Sequence, residues 1–286
     1  MHDMRPVPAA LLVSFLDDAA LFPPGNAPMV AAVPAHARHR QAWYGPLVGY
    51  FVCPDVRLRE LAAVLSQAPF DLPVGVVVSR GPEAISAAVG EATELGLGLV
   101  AIEVPLGMGD GAAERARRAV RAIAGQPFDI QGYVEVPLGH ERRAVLDALS
   151  TTPVAAKLRT GGLSAEGFPT EAEVASFLVD CATRDVPFKC TAGLHRAVRH
   201  RAEPEGFERH GIANVLVATA ASLAGASEEE LIVLLGEQDE NTVAASLEQA
   251  VAARGRFRSL GTCSVEEPID DLVRLGLVRP PAMAKS

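Results

Sequence analysis

The sequence predicts an α/β protein, a single (β/α)8 TIM barrel over residues 1–286 with a helical C-terminal extension. Three observations carry this. Short β-rich runs alternate with longer alanine-rich helical patterns about eight times, the count of a closed parallel barrel. The runs are rich in valine and nearly continuous in apolar residues, as strands covered by helices should be. Pro and Gly are spread among the loops, so no linker divides the chain. The alternative, an open doubly wound sheet, is disfavoured because no Gly-x-Gly-x-x-Gly turn follows the first strand.

The first strand is expected over 11–16, ended by Asp17 and Asp18, before a Pro/Gly loop at 22–26 and a helix over 29–44. Strand two is expected over 47–53 and its helix over 58–67; strand three over 74–79 and its helix over 82–95. Strand four spans 99–104 before a helix at 111–124, and strand five spans 130–136 before a helix at 141–150. Strand six spans 154–158 before a helix at 170–184, and strand seven spans 188–191, with 207–210 ending its connection. The eighth strand is expected over 215–219, with helical segments from there to the end. Thr170 before Glu171 and Glu173, and Ser227 before three glutamates, have the chemistry of N-caps.

At 286 residues, 49% hydrophobic and 21% charged, the chain is long enough for one large core. A net charge of −9 without a strong basic run argues against nucleic acid and anionic membranes as partners. Cys53, Cys181, Cys190 and Cys263 form no Cys-x-x-Cys pair and have no zinc-finger spacing, which suggests reduced thiols in a cytoplasmic protein. No apolar run reaches membrane-spanning length. The apolar stretch at 9–16 lacks the basic flank and cleavage site of a signal peptide. The expected partner is a small-molecule substrate, and apolar helix faces such as 231–235 leave a homo-oligomer open.

Two lysines mark the chemistry. Lys157 and Lys189 each close a short apolar run, and a lysine in a buried strand needs a carboxylate, a lowered pKa or a job. Glu103-Val104-Pro105-Leu106-Gly107 is echoed by Glu135-Val136-Pro137-Leu138-Gly139 at an offset of 32 residues, one β/α unit. Glu103, Glu135, Lys157 and Lys189 thus fall near the C-terminal ends of strands four to seven, where barrel active sites lie. Adjacent strands are ~5 Å apart and alternate residues face the same way, so Arg159 shares a face with Lys157. A neutral lysine attacks a carbonyl to give an imine; a second ammonium nearby disfavours protonation, whereas ionised glutamates in contact oppose that effect.

Lys157-Leu158-Arg159-Thr160-Gly161-Gly162, a helix, then Phe188-Lys189-Cys190-Thr191-Ala192-Gly193 resembles the paired-lysine region of deoxyribose-phosphate aldolases. The resemblance spans about residues 99–195. It implies a barrel and a class I mechanism, with Lys157 forming the Schiff base, Lys189 lowering its pKa and Glu103 in the place of a proton-shuttling aspartate. The chain departs from the family at Glu135, where the family carries a lysine, at Arg159 and Gly162, and at Leu194-His195. Ala218-Thr219-Ala220-Ala221-Ser222 stands where a Gly/Ser phosphate loop would follow strand eight, so a non-phosphorylated carbonyl substrate is implied. Arg159 or His195 would bind a carboxylate, since guanidinium matches a planar anion. Arg159, Thr160, Gly161 and Gly162 read either as a simple turn or as an anion cradle of backbone N–H groups. Thr191, Gly193 and His195 complete the expected substrate-binding set.

No cofactor is required by the imine reading. A rival reading places Mg2+ or Mn2+ on Asp17 (or Asp18), Glu103 and Glu135, in a metal-assisted lyase or isomerase. A third is a barrel that binds a metabolite without turnover. His36 and His39 are expected on an exposed helix face, and His140 and His210 at the surface.

Overall fold

The computed structural model describes residues 9–107, 109–126, 129–162, 164–202 and 206–281. The ends of the expected domain, 1–8 and 282–286, lie outside the described residues. Seven strands follow the predicted rhythm: β1 (Leu16–Asp18), β2 (Val48–Pro54), β3 (Pro73–Val77), β4 (Gly98–Val104), β5 (Gln131–Glu135), β6 (Ala155–Arg159) and β7 (Phe188–Thr191). A small antiparallel pair, β8 (His200–Arg201) and β9 (Glu208–Arg209), follows, and β10 (Phe257–Thr262) closes the parallel barrel between β7 and β1. The predicted fold class, a (β/α)8 barrel, is therefore the one observed.

Helices α1 (Met29–Gln41), α2 (Leu58–Gln67), α3 (Ile85–Glu94), α4 (Ala112–Ala124), α5 (Arg142–Leu149) and α6 (Glu171–Thr183) cover the first six strands. In α4 the residues Ala112, Ala116, Ala119 and Ile123 recur at helical spacing and are buried, with arginines and Glu114 outward. The two predicted N-caps form as capping boxes, Thr170 with Glu173 and Ser227 with Glu230.

The expected eighth strand is a helix. Residues 215–219 lie within α7 (Ile212–Leu223), which leads to α8 (Glu228–Gly236) and α9 (Glu240–Leu247). The apolar run misled because α7 is buried on nearly every side from Ile212 to Thr219, and a buried helix has the same unbroken apolar pattern as a buried strand. The segment expected as a helical C-terminal extension therefore contains the last barrel strand, β10, and its helix α10 (Glu266–Arg274). β10 carries Arg258, Ser259 and Gly261, which dilute its strand signature. The first strand is also displaced: Ser14 has φ +48, so extended backbone begins at Leu16 and takes in both aspartates.

Two histidine expectations are corrected. His36 lies buried on the inner side of α1, its Nδ1 3.0 Å from Asp18 Oδ2. His210 is buried as well and donates from Nε2 to the Pro169 carbonyl at 2.8 Å. Leu231 and Leu235 are buried within the chain by the packing of α8 on α6 and α7.

The main apolar core lies between the strands and the helices. Inside the barrel the filling differs: Tyr50, Ala101, Tyr133 and Ala155 form a separate apolar cluster beneath charged side chains. Space there is tight. A Cβ on Gly75 of β3 would fall 2.2 Å from the Tyr50 ring, so only glycine admits that ring. We expect Gly75→Ala to cost about 1–3 kcal/mol by overpacking. Thermal denaturation checks this, and an unchanged midpoint would contradict the tight fit.

Candidate active site

Strand pairing brings the predicted residues together. Glu135, Lys157 and Lys189 are in register across β5, β6 and β7, and Glu103 pairs with Tyr133 one strand away. Alternation then turns them all inward. Lys189 is fully buried and donates to Asp17 Oδ2 at 2.7 Å, Glu103 Oε1 at 2.6 Å and Tyr50 Oη at 2.7 Å. Three acceptors require three N–H donors, so this group is an ammonium. The Tyr50 and Tyr133 rings lie 4.7 and 5.1 Å from its nitrogen, adding a cation–π contribution.

Lys157 sits one layer nearer the mouth. Its Nζ lies 2.8 Å from Glu103 Oε2 and 3.4 Å from Glu135 Oε2. Glu103 thus holds one ammonium on each oxygen. Burial pushes its carboxyl up, but the charges of Lys157 and Lys189 outweigh burial and hold it well below the usual glutamate range. Burial disfavours the Lys189 ammonium, yet Asp17 and Glu103 outweigh it and raise its pKa. Burial raises the Asp17 carboxyl against the pull of Lys189, while the Ser259 hydroxyl donates to Oδ2 at 2.6 Å. Burial also raises the Tyr50 phenol, which stays protonated and donates to Glu103 Oε1 at 2.9 Å.

Above this network is a cavity of about 440 Å³ at the C-terminal mouth. Lys157, Glu103, Glu135, Arg159, Gly162, Thr191, Gly193 and His195, all predicted, line it. Lys189 does not; it is sealed beneath the floor. Thr160 and Gly161 do not line the cavity. Thr160 is buried and its hydroxyl bonds the Ala192 carbonyl, tying the loop after β6 to the loop after β7. A Cβ on Gly161 would come within 2.7 Å of Gly193 Cα, so that glycine permits the close approach of the two loops. Arg159 is half exposed, its Nε 3.4 Å from Glu135 Oε1.

Sequence reasoning missed Tyr50, Tyr133 and Ser259 in the network, and Phe22, Phe168, Phe207, Arg209 and Cys263 on the cavity wall. Only the tyrosines offered a signal, as polar-tipped side chains inside otherwise apolar strands. Asp17, expected as a strand stop or a metal ligand, is instead a partner of Lys189. The carboxylates of Asp17, Glu103 and Glu135 do not converge: Lys189 lies between the first two and Lys157 between the last two. Among the described residues, no three Asp, Glu, His or Cys side chains are grouped to hold a metal ion.

Removing Lys189 strands two buried carboxylates. Lys189→Met should lower stability by about 3–5 kcal/mol, the cost of breaking a buried pair. The Lys189 pKa is raised above its ordinary 10.5, so its contribution is full below about pH 10.5 and is lost as pH rises through the folded value. Urea unfolding should therefore show a shallower alkaline loss in Lys189→Met than in the wild type. Equal stability of the two at neutral pH would contradict the pairing.

No family model and no curated protein matches the sequence. Among solved structures the chain is similar to Rhizobium etli pyruvate carboxylase, variant T882A, at 10% identity and TM-score 0.46, over 86% of this chain and 29% of that one. It is similar to a Coccidioides immitis protein described as a fructose-1,6-biphosphate aldolase, at 11% identity and TM-score 0.39, over 87% of this chain and 93% of that one. It is also similar to a Flavobacterium johnsoniae chitobiase, at 8% identity and TM-score 0.32, over 84% and 43%. The chain thus spans less than a third of the pyruvate carboxylase and less than half of the chitobiase.

Proposed function

We propose that this protein is a class I lyase that forms a Schiff base between Lys157 and a small, non-phosphorylated carbonyl compound. The observation that carries the reading is the division between the two lysines. Lys157 is the amine on the cavity floor, 4% exposed, whereas every N–H of Lys189 is engaged below it. An amine that must reach a carbonyl carbon has to face the cavity.

The chemistry needs Lys157 to lose a proton, attack the carbonyl and expel water. Glu103 Oε2, at 2.8 Å, and Glu135 Oε2, at 3.4 Å, are the nearby acceptors. Lys189 already compensates Glu103 from its other oxygen, so Glu103 offers Lys157 only part of its negative charge. This is how the lower lysine would tune the upper one, through a shared carboxylate. The protonated imine then draws in the electron pair of a bond made by the carbon next to the former carbonyl carbon; as that bond breaks an enamine forms, and the hydroxyl of the departing fragment gives up its proton to become a carbonyl. Glu135 is placed to move the accompanying proton: its Oε2 is buried and has no hydrogen-bond partner.

The wall suits an apolar compound carrying a carboxylate. Phe22, Phe168 and Phe207 give it apolar surface, and Arg159, Arg209 and His195 give it cationic or hydrogen-bonding groups.

Borohydride reduction in the presence of a panel of 2-oxo acids and small aldehydes should trap one adduct, mapped by peptide mass to Lys157 and missing from Lys157→Met. With three lysines in the whole chain, assignment is direct. A label on Lys189 alone, or none across the panel, would defeat the reading. In the active system, Glu135→Gln should slow turnover by about 10²–10⁴-fold, the usual contribution of a positioned acid or base.

A further inference from the structure

Above β7 and β10, beside the strand that carries Lys157, the cavity holds a thiol next to an imidazole. His195, in the loop after β7, and Cys263, just past β10, both line the cavity. His195 Nε2 lies 3.9 Å from Cys263 Sγ, within the reach of a sulfur hydrogen bond. Its Nδ1 lies 2.9 Å from Oε2 of Glu267, in the first turn of α10. The Glu267 charge beside Nδ1, a close contact without hydrogen-bond geometry, favours the tautomer with hydrogen there and leaves the Nε2 lone pair facing the thiol. Nucleophile, base and orienting carboxylate thus stand in the order that activates a thiol.

From this arrangement we infer that Cys263 is a second nucleophile of the cavity, adding reversibly to the carbonyl carbon of an aldehyde, with His195 as its acid and base. As Sγ bonds to the carbonyl carbon, its proton passes to His195 Nε2. The carbonyl π pair moves to oxygen, which takes that proton back. The product is a thiohemiacetal; nothing is oxidised or reduced, and no further reactant is consumed. Burial raises the Cys263 thiol and lowers the His195 imidazole, so both rest neutral near pH 7, the pair from which this transfer starts. Glu267 is 61% exposed, so its contribution is to orient the ring more than to add charge. The other three cysteines are buried, and none lines the cavity. The reaction uses neither lysine and neither of the glutamates assigned to imine formation, so it stands or falls apart from that step.

Propanal labelled with 13C at its carbonyl carbon, followed by 13C NMR of the whole protein, tests this. Wild type and Lys157→Met should both show one thiohemiacetal resonance, and Cys263→Ser should show none. His195→Gln should form it about 10²-fold more slowly, the loss of a general base. Prior carbamidomethylation of wild type, mapped to Cys263 by peptide mass, should abolish the resonance without any change of sequence. No resonance in Lys157→Met, persistence in Cys263→Ser or in the alkylated protein, or an unchanged rate in His195→Gln would overturn the inference.

Discussion

One carboxylate organises the interior of this barrel. Glu103 meets Lys189 with one oxygen and Lys157 with the other, and the rest of the charge is arranged around it. Asp17 on β1, Tyr50 on β2, Tyr133 and Glu135 on β5 and Ser259 on β10 each touch one of the two ammonium groups or its partner. Seven of the eight barrel strands thus contribute a side chain, and the remaining one, β3, contributes Gly75, whose missing side chain makes room for Tyr50. An interior of this kind tolerates little error. A buried charge without its partner costs several kcal/mol, whereas an apolar filling would cost nothing in desolvation. The network is weak evidence for stability and stronger evidence for a site.

The fold was legible because its signal repeats. Seven strands and six helices follow from alternation of apolar runs with alanine-rich patterns, and the residues at strand ends follow from that. Where the rule failed, two elements had exchanged their usual signatures. The fully buried α7 reads as a strand, and β10, with Arg258 and Ser259 turned to polar work, does not. The lysines were legible because that residue is costly to bury. Their partners were not, because Asp17 and Lys189 are 172 residues apart and pairing distance is a property of the closed barrel alone. The same holds for His195 and Cys263, which meet because β7 and β10 are neighbours although α7, α8 and α9 separate them in the chain. Thr160 and Gly161 were open to two readings in the sequence, and a close approach of two loops is again a property of the closed barrel.

Depth separates the roles of two residues that look alike in sequence. Lys189 and Lys157 sit in register on neighbouring strands, yet one is walled off by Asp17, Tyr50 and Glu103 and the other opens to the cavity. A nucleophile needs a lone pair and a path to its target. Lys189 has neither, since three acceptors hold its three hydrogens and its pKa is raised. What it supplies is a fixed positive charge that the cavity never sees directly. That charge occupies one oxygen of Glu103, while the other oxygen holds the amine above it. The barrel thereby sets a sealed ammonium and a cavity-facing amine on the two oxygens of a single carboxylate.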